Sequence, residues 1–175
     1  MRTMTIGFSR NKNDMIFSVI LQKYMKRNYS HCFIEFDTSS HLGDNAIYHS
    51  SLSSGIGYMS KAIFEDINVI VKYYTISMED HVYDNIKRQL FSVCGKKYGL
   101  MQNVGIFLTN LLSAFLIKIK NPFTKGENCS EMVFRHCLSI IYPSLLDKYD
   151  PETVTPSDIQ DIMENITKNQ ILKGI

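Results

Sequence analysis

Cysteine is scarce in this chain: four in 175 residues, at positions 32, 94, 129 and 137, with no CxxC pair. Four thiols without paired spacing are too few for a disulfide scaffold of this length, so reduced thiols in a cytosolic compartment are expected. An excess of one charge is missing as well. Nineteen Lys and Arg against seventeen Asp and Glu leave a formal net charge of +2, and the basic residues are scattered apart from short runs such as Lys26-Arg27 and Lys96-Lys97. No concentrated stripe marks a phosphate-backbone partner, and nucleic-acid binding is not expected. The opening "MRTMTIGFSR" alternates polar and apolar residues and lacks the continuous apolar core of a signal peptide, so a cytoplasmic location at synthesis is expected.

Long hydrophobic runs are also few. The clearest is "VGIFLTNLLSAFLI", 104–117, fourteen residues interrupted by Thr109, Asn110 and Ser113. A spanning helix needs about 20, so this segment reads as a buried or surface-lying helix, with contact to a membrane surface as one role for it. There is no composition break, repeat or low-complexity linker, and 45% hydrophobic with 21% charged residues is ordinary for a folded protein. A single domain over 1–175 is expected.

What is present alternates between two periods. "TMTIGF" (3–8) reads as a short strand and "DMIFSVILQKYMKR" (14–27) as a helix capped by Asn13 or Asp14. "HCFIEFD" (31–37) puts Cys32, Ile34 and Phe36 on one face and His31, Phe33 and Glu35 on the other, a strand covered on both sides. A Gly43-Asp44-Asn45 turn leads to a second strand, "AIYHS" (46–50), in a hairpin. The short "MSKAIFED" (59–66) makes a turn of helix before a third strand, "INVIVKYYTI" (67–76). Three strands so close together suggest an antiparallel meander. From Ser77, as N-cap, the apolar spacing of Val82, Ile86, Leu90 and Val93 gives a helix. Further helices begin near Asn128 and at Thr155-Pro156, where Thr155 caps and Asp158 favours the positive end. The pattern is α+β.

Chemistry centres on "GENCSEMVFRHC" (126–137). A helix from Asn128 puts Cys129, Met132, Val133, His136, Cys137, Ile140 and Ile141 on one face. Cys129 then lies in the first turn, where unpaired N–H groups favour a thiolate and can also hold an oxyanion. On position alone, a small core thiol is an equal alternative. A nucleophilic thiol needs a base, and there are five histidines. His136 follows Cys129 by two turns on the same helix and cannot fold back; His81 and His41 read as structural. His31 and His49 stand on paired strands and can meet on one face, so that His31 takes the thiol proton while His49 orients the ring. Glu35, in phase with His31, competes for the orienting role. A metal site from His31, Cys32, His49 and Cys129 is a weaker arrangement, because it lacks short-range ligand pairs.

The strand "SHCFIEF", the unit "AIYHSSLSSGIGY", the helix end "GKKYG", "NCSEMVF" and "TPSDI", in that order, resemble the circularly permuted papain-like cysteine hydrolases of the NlpC superfamily. The chain is most similar to the YiiX-like and poxvirus-type branch, itself related to lecithin:retinol acyltransferase, and the resemblance runs from about Ser30 to Ile159. It implies a permuted papain-like fold, an antiparallel sheet packed against helices with the nucleophile at a helix N-terminus. It implies Cys129 as nucleophile, His31 as general base, no cofactor, and Tyr98 and Ser130 as supporting residues. The third polar residue, often a glutamate on the second strand, falls at or next to His49; other branches use histidine there. The implied substrates are peptide amides or lipid-like acyl esters and amides. A cell-wall hydrolase has to reach its wall, and a chain released by lysis or carried in a virus particle needs no secretion signal to do so. The rival expectation is a papain-like fold kept as a binding or structural module.

Overall fold

Cys32, Phe33, Ile34 and Phe36, apolar on both sides of one strand, demand cover on two faces, and the fold supplies it. A computed structural model of the chain describes residues 1–13, 16–39, 44–51, 54–99, 105 and 126–172. Its strands are β1 (Arg2–Asn11), β2 (His31–Ser39), β3 (Asp44–Ser51), β4 (Gly55–Ser60) and β5 (Asn68–Met78). Its helices are α1 (Ile16–Met25), α2 (Lys61–Ile67), α3 (Asp80–Val93), α4 (Cys129–Val133, continued by a π turn at Phe134–Leu138 and by Ser139–Ile141) and α5 (Pro156–Leu172). A 3-10 turn, Pro143–Asp147, follows α4. The class is α+β, with one antiparallel sheet in the order β4-β3-β2-β1-β5.

On one face of the sheet, Met4, Ile6, Phe8, Cys32, Ile34, Phe36 and Tyr48 meet buried residues of α3, α4 and α5, among them Ile86, Leu90, Met132, Val133 and Ile159. On the other face a smaller cluster joins Phe33 and Ile47 to Phe64 of α2. The two-sided burial expected of 31–37 is therefore present, with Cys32, Phe33, Ile34 and Phe36 each at most 1% exposed.

The hairpin of 31–37 with 46–50 forms as expected, but Asp44 and Asn45 already belong to β3. The meander needs correction. Its third strand is β4, from residues to which no strand was assigned, while β5 pairs with β1 at the opposite edge, from Arg2↔Met78 to Asn11↔Asn68. The reason is α2: capped by Ser60, whose hydroxyl accepts the Ile63 N–H, it carries the chain across the Phe33 face to the far edge. Ser77 is not a helix cap either; it lies in β5, and Glu79 occupies the N-cap position of α3. The cap of α5 is as expected. Thr155 Oγ1 accepts the Asp158 N–H at 3.2 Å while Asp158 Oδ2 accepts the Thr155 N–H at 2.8 Å, a reciprocal capping box. The apolar segment 104–117 apart from Gly105, and His41 and Asp14, lie outside the described residues. Among the described residues no helix is long and apolar enough to cross a membrane.

Candidate active site

The start of α4 is built from its own sequence. Asn128 caps it, its side chain accepting the Glu131 N–H at 2.8 Å, and its carbonyl accepts the Met132 N–H. The remaining first-turn N–H groups, those of Cys129 and Ser130, have no acceptor among the described residues. Ser130 Oγ lies 2.7 Å from the Val154 carbonyl and 2.8 Å from Asn128 Oδ1, which ties this turn to the chain entering α5. Ser130 thus supports the helix start rather than presenting a reactive hydroxyl.

Beneath the turn, residues 96–99 pass alongside 126–127. Tyr98 and Glu127 form a parallel bridge, the Glu127 N–H donates to the Lys97 carbonyl, and the Glu127 carbonyl accepts from Ser50 Oγ at 2.7 Å. Gly126 is required here: its φ of +92° and a Cβ that would stand 2.8 Å from the Lys97 carbonyl oxygen leave room for no side chain. The Glu127 carboxylate accepts from Lys96 Nζ at 2.8 Å and from His136 Nε2 at 2.7 Å. Burial alone would raise this carboxyl, but the hydrogen bonds from His136 and Lys96 hold it at about 2. His136 is thus a partner of Glu127, consistent with its exclusion as the base.

Cys129 is 4% exposed, and its neighbours decide its chemistry. The Cys32 thiol stands as a hydrogen-bond donor toward the Cys129 sulfur, and the His31 imidazole lies against it; together they outweigh burial and hold the Cys129 thiol well below its ordinary range. Burial, with the same contact to Cys129, pushes the Cys32 thiol up. Burial also raises Cys137 and Cys94. Of the four thiols, one is favoured as thiolate.

His31 and His49 come together as the strand pairing suggests, their rings 5.6 Å apart and perpendicular, both resting on Phe64. Burial, with His31 beside it, lowers His49 to about 3, so this ring is neutral at neutral pH. His31 Nε2 is buried with no hydrogen-bond partner, and so is the hydroxyl of Ser9, directly across the β1–β2 register. The expectation that the helix docks on the His31–His49 face is not met. α2 covers that face, and Cys129 packs on the Cys32 side; it reaches His31 because His31 is the first residue of its strand.

A cleft of about 320 Å³ opens over His31 and His49, with Asn11, Ser30 and Ser50 on its wall. Cys129 lines a narrow slot of about 20 Å³ closed by Tyr24, Val154 and Pro156. The two share Leu21, Ser30 and Tyr98, so Tyr98 lines both the slot at Cys129 and the cleft over the histidines. Glu35 is not part of the group: its carboxylate accepts from Lys61 Nζ at 2.9 Å and Asn45 Nδ2 at 2.6 Å, with Phe33 between it and His31. Among the described residues no group of three or more His, Cys, Asp or Glu is arranged to hold a metal ion. The sequence reading gave Cys32 no catalytic part and missed Glu127 and Ser50. The adjacency of Cys32 to His31 was the available signal for the first, whereas nothing local ties Ser50 to Glu127.

Comparison with family models, with curated proteins and with solved structures found no match to this chain.

Proposed function

We propose that the protein is a cysteine hydrolase or acyltransferase on a permuted papain-like fold, with Cys129 as nucleophile and His31 as general base. One observation carries this reading: the cysteine that begins a helix is also the one whose sulfur lies against a histidine at a cleft. The Cys129 sulfur attacks the carbonyl carbon of a peptide amide or a lipid-like acyl ester or amide, and the carbonyl oxygen becomes an oxyanion. The N–H groups of Cys129 and Ser130, which have no acceptor among the described residues, are its donors. His31 carries the thiol proton to the leaving amine or alcohol, a thioester remains, and water or another acceptor, deprotonated by His31, resolves it. Neutral His49, its ring 5.6 Å from that of His31, has a ring nitrogen with which to accept from it; catalytic hydrogen bonds are often long before substrate binds.

A thiol-reactive acyl or iodoacetamide probe at near-neutral pH is expected to label Cys129 ahead of Cys32, Cys94 and Cys137, with the preference collapsing in His31→Ala. Equal, slow labelling of all four would refute the reading. The unpartnered Nε2 of His31 favours a second reading, a papain-like fold retained as a binding module. In that case Cys129 is labelled but no thioester accumulates with any acyl donor.

A further inference from the structure

Ser9, on β1, is fully buried, and its hydroxyl has no hydrogen-bond partner. Among the described residues only two other buried side-chain atoms are left in that state, His31 Nε2 and Asn128 Nδ2. The first of these belongs to the residue directly opposite, since Ser9 pairs with His31 in the β1–β2 register, one step beyond Phe8↔Cys32. Residues paired in this way turn their side chains to the same face of the sheet, with Cβ atoms about 4.5–5.5 Å apart.

The other neighbours of Ser9 are poor partners. Gly7 has no side chain, and Asn11 folds onto its own turn, its Oδ1 accepting the Asn13 N–H at 2.8 Å. On the β5 side the ladder skips Val71, so that Ser9 faces apolar Ile70. Neither Ser9 Oγ nor His31 Nε2 is open to solvent, so bulk water does not serve them. Two buried polar atoms without other recourse, on facing residues, are partners for one another, because leaving both unbonded is costly. The backbone is tied at the same point: the Ser9 carbonyl accepts the Ser30 N–H at 3.2 Å, which holds the residue that precedes His31.

We propose that Ser9 is a positioning residue for His31: its hydroxyl accepts a hydrogen bond from the imidazole Nε2–H. Serine turns its hydroxyl among three staggered positions about one torsion, so side-chain torsions alone close the bond. His49 approaches the same ring from the other neighbouring strand, and Phe64 lies beneath both. A proton held on Nε2 leaves Nδ1 as the nitrogen with a free lone pair. Nδ1 is then the atom that receives the thiol proton, set in that state before substrate arrives. This consequence rests on the reading of His31 as general base; the bond itself does not.

The test is long-range proton–nitrogen NMR of the imidazoles in the full, nitrogen-15-labelled chain near pH 8. His31 is expected as the Nε2–H tautomer, to lose that preference in Ser9→Ala, and to regain it in Ser9→Thr, which keeps the hydroxyl. Urea unfolding of Ser9→Ala gives an independent reading. Deleting a buried hydroxyl that has no partner leaves the midpoint unchanged or raises it, whereas deleting a bonded one lowers it. A lowered midpoint is expected. An Nδ1–H tautomer in the wild-type chain would overturn the proposal, as would a tautomer unmoved by Ser9→Ala or a midpoint that does not fall. None of these outcomes depends on the threonine variant. Alkylation of Cys129 separates the bond from the hydrolase reading: it should slow about fivefold in Ser9→Ala. A tautomer that shifts while alkylation holds its rate would uphold the bond and count against His31 as the base.

Discussion

Gly7→Ala tests whether the histidines are held from behind by a packed aromatic stack. Gly7 opposes Phe33 in the β1–β2 register, and a Cβ built on it would stand 2.1 Å from Phe33 Cζ and 2.5 and 2.6 Å from the two Cε atoms. Carbon atoms rest about 3.5–4.0 Å apart, so the ring has to retreat by roughly 1.5 Å. It has little room: Phe33 is 1% exposed, and its ring lies 4.7 Å from that of fully buried Phe64, on which His31 and His49 both rest. Overpacking of this kind costs about 1–3 kcal/mol. It exceeds the gain of roughly 0.5–1 kcal/mol that alanine brings over glycine inside a strand. Urea unfolding followed by circular dichroism should therefore give a net loss of about 1–2 kcal/mol. Labelling of Cys129 should slow as well, because the displaced stack carries His31 with it. Phe33→Leu makes space, so the double variant should be more stable than the sum of the singles by at least about 1 kcal/mol. A Gly7→Ala chain as stable as wild type, or additivity within about 0.5 kcal/mol, would show that the ring is not the wall described.

Two further outcomes follow from the charged groups near α4. Lowering the pH from 8 to 6 should cut alkylation of Cys94 about a hundredfold, as for any thiol with an ordinary or raised pKa. Cys129, whose thiol is held low by Cys32 and His31, should lose far less, a contrast read by mass spectrometry of each peptide. Glu127→Gln should destabilise the chain by on the order of 2 kcal/mol at pH 7, since it leaves Lys96 and buried His136 with a neutral partner. The sign with pH is fixed by the depression of Glu127 from 4.5 to about 2. Its stabilisation is fully present above about pH 4.5 and is lost as pH falls toward 2, so urea midpoints of wild type and variant should converge over that window.

The parts of the fold legible in the sequence were those set by one local period. β2 announced itself through strict alternation with apolar residues on both faces, α3 through the spacing of Val82, Ile86 and Leu90, and α5 through Thr155, Pro156 and Asp158. Strand pairing was legible only where a short connection forced it, as between β2 and β3. The partner of β5 is β1, more than fifty residues back at every paired position from Arg2↔Met78 to Asn11↔Asn68, and no local pattern records that. β4 was hidden for a different reason: "GIGYMS" carries two glycines and little alternation, and it is a strand because the Gly95 N–H donates to the Ile56 carbonyl and the Lys96 carbonyl accepts the Ile56 N–H. Gly55, at φ +71° with the Lys96 carbonyl oxygen 2.2 Å from where a Cβ would be, is fixed by the same contact. A stretch without a strand signal of its own is set by a segment about forty residues away.

The site divides along the same line. Helical phase placed Cys129 at a helix start and strand phase put His31 and His49 on one face, and both placements hold. What phase does not carry is the rank of the neighbours. Alternation assigned Cys32 to the core face opposite His31, which made it look inert. Because His31 is the first residue of its strand, however, Cys129 packs on the Cys32 side and interacts with both, so the residue that strand geometry sets apart from His31 also helps hold the Cys129 thiol low. Glu35 fails for the converse reason. It shares the face of His31, but Phe33 stands between them and Lys61 Nζ, at 2.9 Å, takes its charge. Sharing a face is therefore a weaker guide at a strand end than in mid-strand, since an end residue can be approached around the terminus from either side of the sheet. His49, in mid-strand at the end of the β2–β3 ladder, keeps to its face. Its ring, held near a pKa of 3 by burial and by His31, is a neutral neighbour of the histidine proposed as base.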